Sequence, residues 1–291
     1  MQKHERDYFF GQTGQRLFIQ EWGALNKPVV LMVHGFPGCA NHGQLMSSSR
    51  HWDSFRLIAM DRPGYGQSDF QENLTPLKFA EQVRDLLDDQ GINEISILSV
   101  SGGAPYSMAL AFLLQARVRK VTSIAGVAPL TLRNFSYMNQ QQRKTWAMRN
   151  FVPGTVLNFA MNRVWKSGLD NFEQLIFTEI DTFSEHDRKV LLDPSVGPFL
   201  LGTMREALRQ GPGGILQDMR VYSKSWGFPL SQIQCPVTLW HGSEDDVVHH
   251  YFAQDMQERL PRARLNLIEN EGHYSLPMNC RDAILGDLLG Q

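Results

Sequence analysis

The chain has 291 residues, of which 42% are hydrophobic and 20% charged, and its formal net charge is −2. That composition fits a soluble globular protein with a substantial core and argues against a nucleic-acid or membrane-surface partner. The length lies slightly above the size at which a single core stops growing, so one large domain carrying an insertion is expected.

Met1 to Asp7 is charged from the start and lacks the apolar stretch of a secretory signal. No run approaches the roughly 18 consecutive apolar residues of a membrane span. Cys39, Cys235 and Cys280 form no C-x-x-C pair, so free thiols in a reducing, cytoplasmic setting are expected, with Cys39 a small core filler. Tyr8 to Phe10 and Arg16 to Trp22 read as an antiparallel pair around the turn Gly11-Gln12-Thr13-Gly14. Val29 to Val33 and Arg56 to Met60 are runs of the kind buried on both faces of a sheet. A turn-rich loop, Asp61-Arg62-Pro63-Gly64-Tyr65-Gly66-Gln67-Ser68-Asp69, follows the second. Leu77 to Gln90 has Phe79, Val83, Leu86 and Leu87 on one helical face. Ile95 to Leu98 is a strand and Tyr106 to Gln115 a helix. Arg117-Val118-Arg119-Lys120 reads as a basic helix end that offsets the macrodipole, ahead of a strand over Val121 to Val127.

From Thr131 to Gly227 the pattern is helical, with turns at Val152-Pro153-Gly154, Asp193-Pro194 and Gly211-Pro212-Gly213-Gly214. Its many aromatics and methionines, Phe172 and Phe177 among them, read chiefly as helix-packing core. Alternation resumes with a strand over Pro236 to Trp240, a helix over Tyr251 to Arg259, a strand over Arg264 to Ile268 and a helix from Arg281. Alternating units imply a mostly parallel central sheet flanked by helices. Residues 1–130 and 228–291 would form this core, and residues 131–227 a helical insertion after the sixth strand.

The chemistry concentrates at Ser99-Val100-Ser101-Gly102-Gly103, between a strand and a helix. A serine on so tight a hinge needs nearly side-chain-free positions two before and two after it. Ser101 has Ser99 and Gly103 there, whereas Ser99 would have Ile97 and Ser101. Ser101 is therefore the candidate nucleophile. A serine hydroxyl needs a base, and the base needs a carboxylate to fix its tautomer. In open α/β sheets such groups lie at the carboxyl ends of strands. Asp245 or Asp246 and His273 occupy such ends, whereas Val127 is followed by Ala128-Pro129-Leu130, which offers no acid. His34 and His241 each precede a glycine and are expected to hold turns. His249 and His250, adjacent at a helix start, should point in different directions and lack H-E-x-x-H spacing, so no metal is expected.

Together His34-Gly35-Phe36-Pro37-Gly38, the Asp61 to Asp69 loop, the Ser101 hinge and the Asp245 and His273 loops resemble a capped α/β-hydrolase. The likeness spans nearly the whole chain outside Thr131 to Gly227. Ser99 departs from it, standing where the G-x-S-x-G pattern has its first glycine. The resemblance implies the α/β-hydrolase fold and a triad of Ser101, Asp245 and His273. Asp245 is preferred to Asp246 because the family's acid follows the glycine by three residues. Backbone N–H groups of Phe36 and Gly102 would be the oxyanion donors. A serine argues against haloalkane dehalogenases and epoxide hydrolases, which use aspartate there. Phe36 and Gly102 differ from the pattern of proline iminopeptidases. Ester or thioester hydrolysis of a small to medium substrate remains, with no cofactor, and with Phe36, Trp146, Phe151, Met161 and Trp226 lining an apolar site. Amide hydrolysis and acyl transfer would use the same residues. A ligand receptor on this fold would not need the triad intact.

Overall fold

A strand whose residues are nearly all apolar can be buried on both faces only if helices cover both sides of its sheet. The computed structural model, which describes residues 5–138, 140–168 and 180–291, has this arrangement. Glu5–Phe10 (β1), Leu17–Trp22 (β2), Val29–Val33 (β3), Arg56–Met60 (β4), Ile95–Val100 (β5), Val118–Ile124 (β6), Val237–Gly242 (β7) and Ala263–Ile268 (β8) form one sheet in the order β1-β2-β4-β3-β5-β6-β7-β8. β1 and β2 pair antiparallel, as do β2 and β4, and every other pair is parallel. The sheet is that of the α/β-hydrolase fold.

The two-residue period of a strand sorts its side chains between two cores. Leu31, Val33, Ile95 and Ile97 face a cluster with Phe79, Val83, Leu86 and Leu87 of Pro76–Asp89 (α1) and with Ala104–Leu114 (α2). Val30, Met32 and Leu98 face the opposite cluster, with Ile284, Leu285 and Leu288. Strand order reverses at β3, which pairs with β4 on one side and β5 on the other. This is the switch point at which α/β sheets open a crevice. Register places Val33 beside Ser99, so the loops leaving β3 and β5 emerge at one level.

Of the Arg117 to Lys120 run only Arg117 closes a helical turn, the short 3-10 turn Gln115–Arg117 that follows α2. α2 itself ends at Leu114, and Val118, Arg119 and Lys120 already belong to β6. Arg117 instead reaches Asp88 at 2.5 Å, Arg119 reaches Glu94 at 3.3 Å and Lys120 reaches Asp287 at 2.8 Å. Side-chain pairing across neighbouring elements takes the place of a helix-dipole role.

Between β6 and β7 the described residues form helices, Leu132–Tyr137 (α3), Gln140–Phe151 (α4), Gly154–Lys166 (α5), Glu185–Leu191 (α6), Gly197–Ala207 (α7) and Gly213–Tyr222 (α8), with no strand among them. Tyr251–Arg259 (α9), Ser275–Asn279 (α10) and Arg281–Leu289 (α11) complete the chain. Among the described residues no helix is long and apolar enough to cross a membrane.

Candidate active site

Ser101 sits where β5 ends and α2 is about to begin. Val100 is still extended (φ −122, ψ 135), and Ser101 turns to φ 51, the left-handed region that non-glycine residues avoid. Such a backbone persists only where its surroundings enforce it. Gly103 supplies part of that enforcement, since a Cβ there would lie 2.6 Å from the Val33 carbonyl oxygen and 2.8 Å from that of His34. Ser99 is fully buried and its hydroxyl lies 2.8 Å from that of Ser107 on α2. It serves packing, and a hydroxyl is small enough for a position where the family pattern has glycine.

His273 follows β8, and its Nε2 lies 3.0 Å from Ser101 Oγ. Its Nδ1 lies 2.9 Å from Asp245 Oδ2 and 3.1 Å from Oδ1. With Nδ1–H donating to the carboxylate, Nε2 is left to accept from the serine. The Asp245 carboxylate also accepts the N–H groups of Val247 (3.0 Å) and Val248 (2.7 Å), and its Oδ2 lies 3.1 Å from His241 Nε2. Burial alone would raise its pKa, but the charges and hydrogen bonds of His273 and His241 hold it well below the usual carboxylate range. Burial likewise disfavours the charged form of His273. The Asp245 carboxylate, and Asp187 beyond it, outweigh that and leave the imidazole pKa above its ordinary value. Asp246 is exposed and does not share this arrangement. Gly242 is the last residue of β7, and a Cβ there would lie 2.0 Å from the Glu271 carbonyl oxygen, so glycine lets the two loops meet.

The loop after β3 closes against the same serine. His34 Nδ1 lies 2.9 Å from Gly35 O, and its Nε2 accepts the Arg62 N–H at 3.0 Å. Burial and the Arg62 charge hold this imidazole neutral. The Arg62 guanidinium donates to the carbonyls of His34 and of Gly35 (3.2 Å). In a trans peptide the carbonyl and the following N–H point to opposite edges. Holding Gly35 O on Arg62 therefore turns the Phe36 N–H to the other side. Ser101 O accepts from Val127 N (3.3 Å) and from the Ala104 N–H, which orients the Gly102 N–H in the same way. Gly66 is required in the neighbouring loop, because a Cβ there would lie 2.0 Å from Asp61 Oδ2. The buried Asp61 accepts the N–H groups of Ala40 (2.6 Å) and Gln67 (2.8 Å), and burial pushes its pKa up to about 7.

The sequence profile of the alpha/beta hydrolase fold family matches residues 28–278. The chain belongs to that family. A pimeloyl-[acyl-carrier protein] methyl ester esterase of Nitrosomonas europaea is 24% identical over 275 residues, 89% of this chain and 96% of the esterase. An uncharacterized hydrolase of Saccharomyces cerevisiae is 29% identical over 120 residues, 40% of either protein. A hydrolase from Pseudomonas aeruginosa superposes with a TM-score of 0.72 at 17% identity, covering 98% of both chains, a likeness of fold alone.

In this hydrolase the segment between β6 and β7 reaches the site through residues that the sequence reading did not nominate. Asp218 of α8 accepts from Arg62 (2.5 Å), Tyr65 (2.8 Å), Tyr106 (2.5 Å) and Tyr222 (3.1 Å), and the Arg62 and Asp218 side chains are each 1% exposed. The Tyr222 hydroxyl also lies 2.9 Å from Gly102 O, and its ring meets Phe36 edge-on at 5.5 Å. A Cβ on residue 102 would lie 2.1 Å from that hydroxyl, so Tyr222 fills the space a larger residue after the serine would need. Asp187 of α6 meets the His273 loop. Ser184, three residues earlier, caps that helix, and an S-x-x-D start reads in sequence as local capping only.

The nominated lining residues divide. Met161 and Phe36 pack around a buried cluster of Cys39, Tyr65, Leu157, Leu208, Ile215 and Met219. Trp226 is buried in the main core and packs near Phe228. Trp146 packs against Phe135 and Phe151, and Phe151 is 75% exposed. Phe172 and Phe177 lie outside the described residues. Cys39 is buried with its thiol toward the Thr203 carbonyl, and burial raises its pKa. His241 holds its turn through the Val248 carbonyl at 2.7 Å. His249 and His250 do not diverge as expected. Their rings lie 4.3 Å apart beside Tyr251, which in turn packs on Tyr137, because aromatic packing outweighs the splay of adjacent positions.

Proposed function

We propose that this hydrolase cleaves carboxylic esters, thioesters included, of small to medium substrates through an acyl-enzyme on Ser101. The observation that carries the reading is the unbroken chain from Ser101 Oγ through both nitrogens of His273 to Asp245. In the acylation step His273 Nε2 takes the Ser101 proton as Oγ bonds to the ester carbonyl carbon. The oxyanion is received by the N–H groups of Phe36 and Gly102, donors of a kind worth about 10²–10³ in kcat each. His273 then returns the proton to the leaving alcohol oxygen as the acyl–oxygen bond breaks. Water repeats the sequence on the acyl-enzyme, with His273 again as base, and frees the acid and Ser101. The helices between β6 and β7 act as a cap, and the Met161, Leu157 and Phe36 side suits an apolar acyl or alcohol group. That the Nitrosomonas europaea relative is an ester hydrolase supports the bond class.

A chain-length series of p-nitrophenyl esters, run beside thioesters and amino-acid amides, tests the reading. Ser101→Ala should lower kcat about 10⁴-fold or more with the fold retained, and a fluorophosphonate should label Ser101. Wild-type turnover by Ser101→Ala, or an adduct on Ser99, overturns it.

A further inference from the structure

We infer that Asp187, carried by the segment between β6 and β7, is a positioning residue that holds His273 in register with Ser101, an inference that rests on the hydrolytic reading above. Asp187 is fully buried in the first turn of α6. Its Oδ2 accepts the His273 N–H at 2.8 Å, and its Oδ1 accepts the N–H groups of Tyr274 and Ser275, each at 2.8 Å. One carboxylate thus binds three successive peptide N–H groups, starting at the histidine itself. A Cβ on Gly272 would lie 2.4 Å from Asp187 Cγ, so the carboxylate fits under the loop only because glycine precedes the histidine. The Gly272 N–H is bonded in turn to Ser275 Oγ at 2.8 Å.

The direction of the imidazole is set by the backbone that carries it. His273 must bring Nδ1 to Asp245 and Nε2 to Ser101 at once. A misplacement of about 1 Å in such a constellation can cost roughly 10² in rate. Asp245 and the loop geometry alone leave the histidine backbone N–H without its partner. Asp187 provides that partner from a different part of the chain. It also adds a second negative charge near the imidazole. Other charged or titratable groups on this side include Asp245, His241 behind it, Glu244 and Asp246 farther out on the β7 loop, His186 beside Asp187 with its Nδ1 3.2 Å from Glu244 Oε2, and Tyr274 beside the histidine. Glu271 is turned to Asn279.

Asp187→Asn preserves shape while turning one acceptor into a donor and removing the charge. In the ester assay kcat should fall about 10–100-fold with KM within about twofold of wild type. The acid limb of kcat/KM should move to lower pH, because the lost charge favoured protonated His273. Fluorophosphonate labelling of Ser101 should slow in parallel. A variant that had only lost stability would give less active enzyme without moving the acid limb. Should Asp187→Asn fail to fold, Ser184→Ala gives the second reading, since it removes the oxygen that accepts the Asp187 N–H at 3.2 Å and leaves the charge in place. It should lower kcat several-fold with the acid limb unmoved. A soluble Asp187→Asn with wild-type kcat and acid limb overturns the inference, as does wild-type kcat in Ser184→Ala where that variant stands in. Activity surviving in Ser101→Ala would instead overturn the hydrolytic reading itself.

Discussion

The segment between β6 and β7 sends two carboxylates into the hydrolase core, and they are held by opposite means. Asp218 faces a cation, Arg62, in a site where both side chains are almost wholly removed from water, and three tyrosine hydroxyls complete its shell. Asp187 meets three peptide N–H groups, and among the described residues no Lys or Arg forms an ion pair with it. A buried ion pair makes each partner hostage to the other, because removal of one strands a charge. A carboxylate held by peptide dipoles strands only neutral donors when it is lost. Asp218 therefore guards the stability of the seam between the two parts, whereas Asp187 guards the geometry of one loop.

Asp218→Ala should show the largest effect. Asp218→Ala and Asp187→Ala each strand three neutral donors, at about 1–3 kcal/mol apiece. Asp218→Ala alone also leaves the Arg62 guanidinium buried without a counter-ion, which costs about 3–5 kcal/mol more. Urea unfolding of the two variants checks the order. Equal losses would mean that water reaches Arg62, and the contrast between the seams would fail.

How legible these two seams are in the sequence differs from how legible the sheet is. Val29–Val33 announces itself because burial on both faces leaves little room for polar residues. Ser101, Gly103 and Gly242 are legible because turn sterics act between near neighbours or at strand ends. The structure brings Ser101, Asp245 and His273 together as the spacing of strand ends suggested. Asp187 and Asp218 carry no such mark. Each lies on a helix where a carboxylate ordinarily reads as solvated surface, and their partners are 86 and 156 residues away. Trp226 shows the same limit from the apolar side. It reads in sequence as lining the site, and the structure instead buries it in the main core.

The Asp218 seam also touches the serine hinge, through Tyr222 on Gly102. Gly102→Ala should consequently lower kcat/KM about 10–100-fold, because its Cβ would meet the Tyr222 hydroxyl and Phe36 Cβ at 2.1 and 2.7 Å and push the hinge off its geometry. Adding Tyr222→Phe removes the nearer atom and should recover part of the loss. Steady-state kinetics on the two single variants and the double variant gives the coupling. Strictly additive losses would place the defect with Phe36 alone and detach this seam from catalysis.

The smallest expected effect separates the seams most cleanly, since it is a displacement along the pH axis and needs no loss of rate at the optimum. Wild-type kcat/KM should fall as pH drops through a value above the ordinary histidine pKa of about 6.5, because the proposed base His273 can take a proton only when neutral and its pKa is raised. The two carboxylates that raise it are Asp245 and Asp187; Asp218 is held instead on Arg62 and three tyrosine hydroxyls. Asp218→Asn, assayed where it remains folded, should leave this acid limb in place while lowering the unfolding midpoint. Asp187→Asn should carry the limb toward lower pH. A limb that moves in both variants would show that the field of the whole segment acts on His273, and that the division of labour between a paired and a peptide-bound carboxylate is wrong.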